Sequence, residues 1–141
     1  MKIKIVTMSG DIEFPDWAVS QVQNTFFKVN LLNQEGKYYY REKGIGDDIK
    51  EDDLLLFSFQ NTIIASARYK GIKDLCNPPV DGVYNGYFCV KINTIKTFQP
   101  LEKSELEVML GNFNIGQGGA ILDADNIKID GIEHWLDRIR I

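Results

Sequence analysis

The sequence predicts an α+β domain, a mixed sheet of five or six strands flanked by short helices. Three observations carry that prediction. The start, Lys2-Ile3-Lys4-Ile5-Val6, alternates polar and apolar residues as a strand does. Leu54–Phe59 and Thr62–Tyr69 are apolar runs parted only by Gln60-Asn61, the pattern of a tight hairpin between central strands. Ala18, Val22, Phe26 and Val29 recur near helical spacing, which predicts a short amphipathic helix between strands.

The first strand, near Lys2–Thr7, ends at the turn cluster Ser9-Gly10-Asp11. Pro15-Asp16 precedes the helix, and Trp17 stands at its start. Asn33-Gln34-Glu35-Gly36 turns the chain into an aromatic strand, Lys37-Tyr38-Tyr39-Tyr40-Arg41. Residues 71–86 hold Pro78-Pro79, three glycines and Asp81, and are expected to form a loop. Tyr87–Phe98 alternates through Phe88, Val90 and Ile92, and is expected to be the longest strand, ended by Pro100. Lys103–Leu110 has helical composition, residues 111–119 are rich in glycine and asparagine, and Ile127–Ile139 is expected to close the chain as a helix. No repeat, low-complexity tract or linker divides the sequence, so residues 1–141 are expected to form one domain.

Composition bounds the function. The chain carries 16 Lys+Arg and 20 Asp+Glu, a net charge of −4, at 44% hydrophobic residues. Residues 42–53 alone hold six acids and two bases, so the other 129 residues are balanced at 14 of each sign. From Asn61 to Ser104 there are six bases and three acids. That distribution disfavours indiscriminate binding along a phosphate backbone and leaves room for a locally basic face. No apolar run approaches the ~18 residues of a membrane span, and no leader is evident, so a cytoplasmic location is expected.

Cysteine and histidine counts remove whole chemistries. Cys76 and Cys89 have no CxxC spacing, and His134 is the single histidine, so a Cys/His zinc site lacks its ligands. A Ser-His-Asp triad would need His134, which falls beside Trp135 in the closing helix and reads as an ordinary helix residue. Asp123-Ala124-Asp125-Asn126-Ile127-Lys128 begins like a calcium loop, but Ile127 and Lys128 occupy the positions that need an oxygen ligand and glycine. Capping of a helix by Asp123 or Asp125 is the better reading. Gly116-Gln117-Gly118-Gly119 lacks the lysine and hydroxyl that complete a phosphate loop. Asp16, Glu35 and Lys37 have the letter order of a metal-dependent nuclease, yet their setting is a helix start and a turn rather than adjacent strands. No metal or cofactor is expected.

The aromatic residues are more suggestive. Trp17, Tyr38–Tyr40, Phe57, Phe59, Tyr69, Tyr84 and Tyr87 interleave with Arg41, Arg68 and Lys70. Aromatic faces stack on bases, and arginine offers a planar fork to phosphate. About half of these rings fill a β-core in any such sheet. Three consecutive tyrosines, however, cannot share one face, so Tyr39, or the pair Tyr38 and Tyr40, is exposed or lines a pocket.

Ile49-Lys50-Glu51-Asp52-Asp53-Leu54-Leu55-Leu56-Phe57-Ser58-Phe59, followed by Asn61-Thr62-Ile63-Ile64-Ala65-Ser66-Ala67-Arg68, resembles the core hairpin of PUA-like domains of the EVE and ASCH groups. Ala65 and Ala67 stand where those groups often have glycine, and Asp52-Asp53 replaces Gly-Asp. The order of the remaining elements, down to Gln117-Gly118-Gly119-Ala120-Ile121-Leu122, looks like the sensor domains fused to some HNH-type restriction nucleases. The resemblance implies a PUA-like pseudo-barrel of five or six strands with a pocket between the first helix and the hairpin. It also implies binding of RNA, or of a modified base flipped from a DNA duplex.

On that reading the chain is a non-catalytic nucleic-acid recognition module. Stacking falls to Trp17 and Tyr39, edge hydrogen bonds to Ser9, Asp11, Ser66 or Gln117, and phosphate contacts to Arg41, Arg68 and Lys70. A separate nuclease or protein partner would supply any effector activity. The rivals are a small nucleic-acid-processing enzyme, either a metal-dependent nuclease or an ASCH-type hydrolase, and a protein-interaction domain working through the acidic 42–53 loop.

Overall fold

The computed structural model describes residues 1–115 and 119–141. Among the described residues seven strands form the sheet: β1 (Lys2–Thr7), β2 (Lys37–Tyr40), β3 (Leu54–Phe59), β4 (Thr62–Val80), β5 (Tyr84–Val90), β6 (Lys96–Glu102) and β7 (Ala120–Asp123). The hydrogen-bonded order is β2-β5-β4-β3-β1-β7, with β6 also paired to β4. Of these strand pairs β1 and β3 run parallel, Ile3 opposite Leu54, and the others antiparallel. Their connection carries the first helix and β2, as a parallel pair requires a crossover. The architecture is α+β as expected, with seven strands rather than five or six, and the path does not close into a ring among the described residues.

Several expected boundaries are corrected. Residues 71–80 are not loop but the far half of β4, which turns over Asp81–Val83 into β5. The expected long strand over 87–98 is split by a 3₁₀ turn at Ile92–Thr94 into β5 and β6. Pro100 lies inside β6, where it is exposed. On its other edge β6 meets the C-terminal segment, Phe98 opposite Arg140. Pro100 falls where the pairing with β4 shifts register between Ile63 and Ala65, a bulge being a place where a strand tolerates proline.

The hairpin stands as expected. Gln60 and Asn61 both have positive φ, 51° and 63°, the geometry of a two-residue turn matched to strand twist. Strand β3 is buried at all six residues because both faces of the sheet are covered. On one face Leu55, Phe57 and Phe59 pack with Phe26, Phe27, Tyr38 and Phe88. On the other, Leu54 and Leu56 pack with Phe98, Leu106, Ile129, Ile132 and Leu136. The second face is covered by α2 (Lys103–Leu110) and α3 (Asn126–Arg138), whose start is capped by the Asp125 carboxylate accepting from the Lys128 amide at 2.8 Å.

Helix α1 runs continuously through Val19–Gln21, Val22–Asn30 and Leu31–Asn33, and its middle segment is π-helical. The wider winding turns Val22, Gln23, Phe26 and Phe27 inward and leaves Val29 exposed, which α-helical spacing had placed on the buried side. Gln23 is buried and donates from Nε2 to the carbonyls of Ile64 (3.0 Å) and Phe98 (2.8 Å). Ile64 lies at a register shift, between Ile63 and Ala65, in its pairing with β6. The side chain thus ties α1 to β4 and β6 at once. Gln23→Leu strands two buried carbonyls, and is expected to cost about 2–4 kcal/mol in equilibrium urea unfolding. A loss under about 1 kcal/mol would show that water replaces the amide.

Candidate functional site

Strand β1 pairs with β3 on one edge and β7 on the other, and Ile3 through Val6 are buried, so both its faces are covered. Ile3 and Ile5 point toward α3, and period-two alternation turns Lys4 and Val6 the other way. There they line a cavity of about 240 Å³, together with Ser9, Glu13, Tyr38, Tyr40, Arg41 and Lys43. Burial lowers the pKa of Lys4, and the neighbouring Lys43 charge adds to the effect. Burial likewise raises that of Glu13, against the pull of the Arg41 and Ser9 amides and the Arg41 charge.

The walls are fixed by backbone contacts. The Ser9 hydroxyl accepts from the Ile12 amide at 3.2 Å, folding the loop after β1. Glu13 accepts from the Arg41 amide at 3.3 Å, and Asn85 donates to the Arg41 carbonyl at 2.6 Å, so the end of β2 is clamped from both sides. Tyr38 is 2% exposed, and its ring stacks on Phe88 with centroids 4.9 Å apart. Its hydroxyl is buried and has no hydrogen-bond partner among the described residues. Burial pushes the phenol pKa well up, with smaller contributions from Glu13 and Tyr84. Tyr40 lies flat on Gly86, where a Cβ would sit 2.2 Å from its hydroxyl oxygen. Any side chain at position 86 would therefore push Tyr40 off its seat.

The raised pKa of Glu13 has a pH signature. Its folded value lies above the ordinary 4.5, so between the two the folded state holds more protons than the unfolded chain. This group's contribution to stability therefore falls as pH rises through that window, and the cost persists above it. Glu13→Gln keeps an acceptor for the Arg41 amide and removes the charge. Its stability relative to the native chain is expected to rise from about pH 4 to about pH 7 in urea melts. A pH-independent difference would contradict the burial of this carboxyl.

Of the residues expected from sequence, Ser9 and Arg41 line this cavity. Trp17 and Tyr39 do share a cleft, but a second one of about 280 Å³ that adjoins the first across Glu13. Asp11 is exposed in the turn after Ser9. Ser66 and Arg68 alternate with Ala65, Ala67 and Tyr69 of the first core, and so face α3 on the opposite side of the sheet. The Arg68 guanidinium is held by Glu133 and by the Asp52 carbonyl, at 2.7 Å in the second case. Lys70 is exposed on β4, and Gln117 lies outside the described residues. Asp16 and Glu35 stand exposed in turns with φ near 60°, while Lys37 Nζ sits 5.1 Å from the Tyr87 ring centroid. Among the described residues no three His, Cys, Asp or Glu side chains gather as a metal site would require.

The charge runs seen in the sequence are largely engaged inside the fold. Asp47 pairs with Lys73, and Glu51 and Asp52 with Lys91. Asp53 is buried and accepts from the amides of Lys2 and Lys50. Arg68, Lys96 and Lys103 also have carboxylate partners, so five of the six bases in 61–104 are paired. Positive charge instead collects at the cavity, which Lys4, Arg41 and Lys43 line against Glu13 and Glu42. Sequence reasoning missed Lys4, Glu13, Tyr38 and Tyr40 as a set. A lysine in an alternating first strand reads as solvent-facing, and only the burial of β1 on both sides reverses that reading.

No protein-family profile matches the sequence, and no curated protein matches it. Solved structures do. The ASCH protein from Zymomonas mobilis superposes with a TM-score of 0.53 at 8% identity, over 94% of this chain and 94% of that one. A tyrosine-to-phenylalanine mutant of the same protein gives 0.53 and 8% over 94% and 96%. A serine-to-alanine mutant gives 0.53 and 9% over 94% and 95%. At such identities the likeness concerns the fold, and over nearly its whole length this chain has the α+β PUA-like fold of ASCH domain structures.

Proposed function

We propose that the cavity between β1, the loop after it and the end of β2 binds a nucleobase, presented by a nucleic-acid strand or as a nucleoside. The observation that carries this reading is the buried Tyr38 hydroxyl, which has no hydrogen-bond partner among the described residues and belongs to a residue lining the cavity. A buried hydroxyl left unpaired costs free energy that a ligand's polar edge recovers. Tyr40 supplies an aromatic wall, Lys4, Ser9 and Glu13 supply edge contacts, and Arg41 and Lys43 meet phosphate at the mouth. The cavity has room for one ring system rather than a length of strand, which fits a single extruded base. Calorimetric titration at low salt with nucleosides, single-stranded RNA, single-stranded DNA and duplexes carrying modified cytosines tests it. Saturable binding weakened by Lys4→Met supports the reading, and silence toward every ligand refutes it.

A second reading, hydrolysis of a nucleoside-like substrate, is favoured by one specific observation. Lys4 and Glu13 are both shifted toward their neutral forms in one cavity, as groups that exchange protons are. Chromatography of nucleosides and RNA oligomers after incubation separates the two. Product formed by the native chain and lost in Lys4→Met makes the site catalytic, whereas binding without product leaves a recognition module.

A further inference from the structure

The second cleft has a different chemistry from the first. Phe14 and Trp17 meet edge to face at 5.4 Å, Tyr39 and Tyr84 lie 6.0 Å apart, and all four rings line one cleft of about 280 Å³. Glu13 and Asp81 line it too, and among the described residues no lysine, arginine or histidine does. Aromatic walls with carboxylates and no base repel a phosphate and attract a cation to the ring faces. Two carboxylates among rings are a poor seat for a bare metal ion, which wants a full shell of oxygen ligands. A weakly hydrated, bulky cation fits all of these features. Glu13, half-buried, would gain there a second positive neighbour beside Arg41.

We propose that this cleft is a binding site for an organic cation of the quaternary ammonium class, either a free small molecule or a methylated lysine side chain. The proposal does not rest on the nucleobase reading of the neighbouring cavity, with which this cleft shares Glu13. Two of its rings, Trp17 and Tyr39, are those the sequence assigns to base stacking, and the carboxylates beside them shift the preference to positive charge.

Trp135→Phe leaves Trp17 as the sole tryptophan reporter, since the chain has two. Fluorescence titration of that protein uses choline, tetramethylammonium, a peptide carrying trimethyllysine, the uncharged carbon isostere of choline, and adenosine. Saturable quenching by the cations, with the isostere at least ~10-fold weaker, is the expected result. Asp81→Asn keeps a residue that tolerates the φ of 54° at this turn, and is expected to weaken cation binding by at least ~3-fold. Tighter binding of the peptide than of choline identifies a protein source, and the reverse identifies a small molecule. Equal binding of choline and its isostere overturns the proposal, as does quenching by adenosine alone or by nothing.

Discussion

Gly119→Ala is expected to destabilise the protein by about 3–5 kcal/mol, a large effect for a single methyl group. Gly119 has φ +85°, and a Cβ built there lies 1.8 Å from the Ile5 carbonyl oxygen. That oxygen belongs to β1, which is paired to β3 on one side and β7 on the other. Neither strand can retreat without breaking a ladder in the centre of the sheet. The same Cβ position is 3.4 Å from Lys4 Nζ, so the close approach also brings this segment against the cavity's buried lysine. Urea unfolding of the purified variant checks it. A cost under about 1 kcal/mol would mean that the segment leading into β7 can move away from β1 freely.

Tyr38→Phe is expected to separate function from stability. The ring is held by stacking on Phe88 and by an edge contact with Phe26 at 5.7 Å, both of which phenylalanine retains. Removing a buried hydroxyl that no described residue satisfies should leave stability unchanged or raise it by about 1 kcal/mol. Affinity for a nucleobase ligand, in contrast, is expected to fall ~10-fold, the worth of one hydrogen bond in a dry site. The two quantities moving in opposite directions is the signature of a group kept for a ligand. Loss of stability with unchanged affinity would make Tyr38 a core residue and nothing more.

Much of the fold is written in local pattern. The alternation of Lys2–Thr7, the Gln60-Asn61 turn and the helical composition of Lys103–Leu110 each depend on near neighbours, and each element stands where expected. What misled were residues whose meaning depends on position in the sheet. Pro78, Pro79 and the glycines nearby suggest a loop, yet they lie in or beside the exposed far half of β4 and its turn into β5, where the pairing shifts register between Leu75 and Val80 and proline is tolerated. The cavity was legible only in part. Three tyrosines in a row predicted that opposite faces of β2 would differ, and Tyr38 and Tyr40 indeed line one hollow while Tyr39 lines the other. Lys4 and Glu13 carried no such mark, because their burial arises from β3, β7 and the end of β2 closing around them. The charge arithmetic was legible in sum but not in placement: the basic 61–104 stretch is mostly ion-paired, while Lys4, Arg41 and Lys43, all outside it, line the cavity.

The most direct test of the nucleobase pocket is a low-salt calorimetric titration of the native chain and Tyr38→Phe, side by side, with nucleosides and short single-stranded RNA. One-site saturable binding by the native chain, and ~10-fold weaker binding by a variant that is at least as stable, is the expected result. Identical isotherms for the two proteins, or none for either, would contradict it.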